Sequence, residues 1–449
     1  MRTSTAFSGA ILWLVLCSHL EAAHWQTSSA VDQFTQHAAE LMQSGDLKTA
    51  ETELGRALKL APNDVAALSL LGGALGMQGR LEESTQVFEK ALRLAPANQD
   101  LRRNLAANQV RLGRACYRTH QKQKARAWLT QLQQLSADPD GLYLGGQVAM
   151  EASDWETAER LFVAAKNAAY SRPALLSYQL ARIRYQTGRY RQSRELLEPI
   201  ANSSESDGTV LNLLAWCYLK EGDEATGVKI LSFAMDRFPA EVGNFLDLAR
   251  LEQQRNRLDP ALDVVQRGAA QHPESGPIFE LKGELETAQG LHGPAVQSFQ
   301  QAVRLNPRSP ESLLGLALAQ TNLLRNQEAV ATFEKGLKAF PSDARFCAEY
   351  GKVLLLPWAS AANPGAAQKA EQLLKRAIEL DGSRAEPRFE LGNQLVKAGR
   401  AAEAVPYLEK ATSLHPRNAQ AHFVLARAYR ALGRTQDAER EMQLFEKLR

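Results

Sequence analysis

Histidine and cysteine are the side chains best suited to metal binding, nucleophilic attack and proton transfer near neutral pH. This chain of 449 residues holds eight histidines and four cysteines. Cys17, Cys116, Cys217 and Cys347 show no CxxC or Cys/His spacing of the kind that holds zinc or a redox couple. The histidines are equally scattered, and no HExxH, GxSxG or P-loop motif occurs. Gly72-Gly73-Ala74-Leu75-Gly76 is rich in glycine, but it lies inside a helical pattern rather than after a strand, where a phosphate-binding turn belongs. The expectation is a protein without catalytic residues, metal ion or cofactor, and not an enzyme.

Charge offers more. Between Leu101 and Ala137 there is no acidic residue, while Arg102, Arg103, Arg111, Arg114, Arg118, Lys122, Lys124 and Arg126 accumulate. If one helix runs through 111–126, Arg111, Arg114, Arg118 and Lys122 share one stripe. Such a stripe suits an anion: an acidic peptide, an anionic polysaccharide or lipid headgroups. The alternative is a solvated face that balances acidic neighbours. The net charge of +3 is too mild to argue for nucleic acid. Asn202-Ser203-Ser204 is a glycosylation sequon, meaningful only in a eukaryotic secretory pathway.

The elements that carry these residues repeat. Pro62 and Pro96 are 34 residues apart, and Pro239, Pro273, Pro307 and Pro341 keep the same interval. A proline at these places cannot continue a preceding helix. Small residues recur in register, as at Gly72, Gly146, Ala181, Ala215, Gly283 and Gly392, and again at Ala50, Ala158, Ser193, Ala295 and Ala404. Two helices approach to roughly 8 Å only where the side chains at their crossing are small. Larger residues such as Phe88, Leu231, Phe299, Phe333 and Leu408 fill the space beside them. Gly45, Gly79, Gly188, Gly222, Gly290, Gly399 and Gly433 suit a left-handed turn between the two helices of each unit. The pattern predicts an all-α chain of helix pairs.

Leu211, Leu214-Ala215, Tyr218, Gly227, Leu231, Ala234 and Pro239, with His422, Leu425-Ala426, Tyr429 and Ala438, resemble the tetratricopeptide repeat family. The resemblance covers nearly all of 31–449 and implies a right-handed superhelical solenoid of about twelve helix-turn-helix repeats. It also implies a concave groove lined by places two, five, nine and twelve of the first helices. Carried onto this chain, those places put Tyr143, Gln147, Tyr178, Arg182, Asn212, Trp216 and Arg250 on the groove, with Tyr185 either there or packed between repeats. The Lys-Asn pattern by which some members clamp chaperone tails is absent, since Asn393 follows Phe389 and Trp216 follows Asn212.

The expected function is therefore a non-enzymatic scaffold or adaptor that binds a protein or peptide partner along the groove. The alternatives are a cell-envelope factor acting on an anionic polymer or lipid surface through the basic third repeat, and a regulatory subunit of an enzyme complex. Contact with a membrane surface belongs to the first of these alternatives alone. Residues 1–23 are expected to be a signal peptide: Arg2 precedes the apolar run from Ala10 to Cys17, which is too short to span a bilayer. That implies an exported protein, periplasmic or secreted, with 31–449 as the repeat array. Two repeats are irregular. The third, 99–138, is about six residues too long. The tenth, 344–384, carries seven extra residues around Trp358, between Pro357 and Pro364, as a lid, a docking knob or a loop folded on its own repeat.

Overall fold

The computed structural model describes residues 29–135 and 138–449, with side chains at 135 and 360–362 left aside. The expected signal peptide lies outside the described residues. Everything regular among them is helical. Packing contacts divide the chain into two units, one ending at Ile230 and the other beginning at Leu231.

The first unit holds α1 (29–44), α2 (Leu47–Leu60), α3 (Val65–Met77), α4 (Leu81–Leu94), α5 (Gln99–Arg118), α6 (Lys122–Gln131), α7 (Pro139–Glu151), α8 (Trp155–Asn167), α9 (Pro173–Gln186), α10 (Tyr190–Ala201) and α11 (Gly208–Glu221). The division falls within α12 (Glu224–Arg237). The second unit continues with α13 (Val242–Gln254), α14 (Leu258–Gln271), α15 (Gly276–Ala288), α16 (His292–Leu305), α17 (Pro310–Asn322), α18 (Asn326–Ala339) and α19 (Ala344–Leu354). It is completed by α20 (Pro357–Ala362), α21 (Ala366–Leu380), α22 (Glu386–Lys397), α23 (Ala401–Leu414), α24 (Ala419–Ala431) and α25 (Thr435–Leu448). In each unit a helix packs on its neighbours in sequence, and first helices of successive pairs also touch, as α9 does α11 and α15 does α17.

Local chemistry explains the boundaries. Asp64, Asp207, Ser309 and Asn418 cap first helices by accepting the backbone N–H three residues on, at 2.7, 2.8, 3.1 and 3.1 Å. Pro139, Pro173 and Pro310 open theirs, where no N–H is needed. Seven of the turns between paired helices use glycine at φ between 74° and 89°, while His120, Ser153, Ala169, Asn256 and Leu324 take the left-handed region with a side chain.

The core runs along each unit at the helix crossings. A Cβ on Gly72 would stand 2.8 Å from the Phe88 ring, one on Gly146 2.6 Å from that of Phe162, and one on Gly392 2.5 Å from Leu408. Phe299 is enclosed twice, by Gly283 of its own pair and Gly315 of the next, whose Cβ atoms would lie 2.9 and 2.4 Å from its ring. The glycine-rich run at 72–76 is thus a close crossing of α3 with α4.

Polar ties join each pair to the next. Arg80, Arg189 and Arg400, each directly after a turn glycine, reach back about thirty residues to Glu51, Glu159 and Glu371 at 2.8, 2.6 and 2.7 Å. Lys90 and His272 reach the carbonyl oxygens of Pro62 and Pro239, both at 2.7 Å. Among the described residues no helix is long and apolar enough to cross a membrane.

Candidate binding faces

In the first unit, α9 and α11 lie in contact and present residues four apart on one side. Tyr178 is half-buried, and the Arg182 guanidinium stands 6.0 Å from its ring centre while donating to Gln179 Oε1 at 3.1 Å. Asn212 and Trp216 are half-buried on α11, and Lys220 Nζ lies 6.0 Å from the Trp216 ring. Each aromatic face is therefore edged by an exposed cation one turn along. Lys220 escaped the reading of the groove, although its place four residues beyond Trp216 was visible.

Tyr143 has a different place. It is 7% exposed, stacked on Tyr170 with ring centres 4.6 Å apart, and tilted against Phe162. Gln147 Nε2 donates to its hydroxyl at 3.0 Å. Tyr143 is core, and Gln147 serves to satisfy it. Tyr185 likewise packs edge-on against Tyr190 at 5.3 Å. Arg250 belongs to the second unit, exposed on α13. There its charge opposes the upward shift that desolvation, and then Glu280, impose on the Glu284 carboxyl. Two other cations on first helices of this unit are paired: Arg345 with Glu311 at 3.1 Å and Lys352 with Glu386 at 2.8 Å.

The basic third repeat does not form the expected stripe. Its extra length lies in α5, which has 20 residues and stops at Arg118. His120 then turns the chain at φ 58°, so Lys122 starts another helix. The physical reason is that His120 occupies the turn place that glycine fills elsewhere, so no helix runs through 111–126. Three of the four cations also face separate partners: Arg111 donates to the Gly76 carbonyl at 3.2 Å, Arg114 lies 3.7 Å from Glu151, and Lys122 lies 3.9 Å from Asp154. Asp154 is 1% exposed and holds Arg126 through two hydrogen bonds of 2.6 and 2.7 Å. Burial alone would raise its carboxyl, but Arg126 and Tyr117 outweigh burial and bring it down to about 2.

The tenth repeat's insertion forms the short helix α20, with Trp358 half-buried against the core of α18, α19 and α21. A cleft of about 710 Å³ opens beside it.

The tetratricopeptide repeat family matches residues 35–99, 178–231, 246–310 and 288–344 in one form and 395–444 in another, together more than half of the chain. The chain belongs to the tetratricopeptide repeat family. Tetratricopeptide repeat protein 21B of Mus musculus is 24% identical over 265 residues, which are 58% of this chain and 20% of that one. The peroxisomal targeting signal receptor of Kluyveromyces lactis is 32% identical over 127 residues, or 27% of this chain and 21% of the relative. The chain thus spans about a fifth of the length of these curated relatives. Among solved structures it is similar to the APC/C hetero-tetramer Cut9-Hcn1, at 15% identity over 93% of both chains with a TM-score of 0.42.

Among the described residues no three His, Cys, Asp or Glu side chains gather as a metal site. Cys217 is buried, donates to Ser193 Oγ at 3.3 Å, and has its thiol pushed up to about 11 by burial, which disfavours the nucleophilic thiolate. Cys116 and Cys347 are shifted upward for the same reason.

Proposed function

We propose that this protein is a non-enzymatic scaffold whose first-helix face on α9 and α11 binds a peptide or protein partner. The observation that carries the reading is the strip of Tyr178, Arg182, Asn212, Trp216 and Lys220, two half-exposed aromatic rings each edged by a cation. Aromatic rings supply contact area at small entropic cost, and Arg with Trp and Tyr recurs among residues that dominate interfaces. The cations then orient carbonyl or carboxylate groups of the bound segment. One relative carries the name of a receptor for a targeting signal, which agrees with recognition of a short segment.

The proposal includes an exported location, supported by Arg2 and the apolar run from Ala10 to Cys17. The test is affinity capture from the periplasmic or secreted fraction, comparing the wild-type chain, a Tyr178→Ala/Trp216→Ala variant, and a charge reversal at Arg111, Arg114 and Arg118. The aromatic variant should lose the principal partner while its helical content is unchanged, and the charge reversal should retain it. Retention by the aromatic variant would overturn the reading, and loss only in the charge reversal would transfer it to the third repeat.

A further inference from the structure

We draw no further inference here: the strongest candidate, the cleft that Leu112, Cys116 and Trp128 line between α4, α5 and α6, carries nothing, because its rim charges Glu82 and Lys124 are exposed and nothing in the structure shows what covers it.

Discussion

Gly283→Leu is a direct probe of how this protein is packed. Phe299 is 3% exposed and lies between two glycines, so its ring has little room to retreat from an added side chain. A Cβ at 283 already stands 2.9 Å from two ring carbons, and the far side of the ring is closed by Gly315, whose own Cβ would be 2.4 Å away. Overpacking of this kind costs about 1–3 kcal/mol, and closure on both sides puts the site near about 3. Losing a helix-interior glycine returns about 1 kcal/mol of propensity. The net is about 2 kcal/mol, or about thirtyfold in a local opening equilibrium. In a repeat array a global midpoint dilutes such an effect, so amide exchange of peptides from 276–322 is the better measurement. Exchange there should accelerate by about thirtyfold, with peptides from α22 to α25 unaffected. Adding Phe299→Ala should make the pair less damaging than the sum of the single changes. Strict additivity, or unchanged exchange in 276–322, would refute the claim that these glycines exist to admit the ring.

Two further outcomes follow from the polar ties. The Glu371 carboxyl is held at about 2, against an ordinary 4.5, first by the hydrogen bond from Arg400 and then by that from Lys375. A depressed carboxylate stabilises the folded form above its ordinary range and ceases to do so as pH falls through the folded value. Glu371→Gln should therefore lower the melting temperature at pH 7, and that difference should shrink between pH 4.5 and about 2; a difference constant with pH would refute the coupling. Arg126→Met leaves the buried Asp154 carboxylate without its two-bonded partner and should cost about 3 kcal/mol in urea unfolding. A loss below about 1 kcal/mol would mean that Tyr117 and Lys122 suffice.

The fold was legible because each repeat carries the same constraints at the same places. The prolines at 239, 273, 307 and 341 fall just past the ends of α12, α14, α16 and α18, and the recurring small residues Gly72, Gly146 and Gly283 lie under Phe88, Phe162 and Phe299. What stayed hidden depended on single residues that break the rule. His120 ends α5 without the glycine that would have announced a turn. Tyr143 occupies a groove place by number, yet Tyr170, in the loop before α9, offers it a stacking partner and draws it inward. The Arg–Glu ties could have been noticed from the recurring Gly-Arg pairs at 79–80, 188–189 and 399–400, but a dipeptide does not name the glutamate some thirty residues back. The cleft at Trp358 needed the insertion's actual path, which its composition leaves open.

Those ties also govern how the protein comes apart. Each fastens a hairpin to the one before it and to nothing farther away. Under a pulling force applied at a terminus, the outermost hairpin bears the load alone and detaches while those behind it keep their fastenings. The extension trace should therefore be a sawtooth with roughly even steps, each releasing one repeat's length of chain.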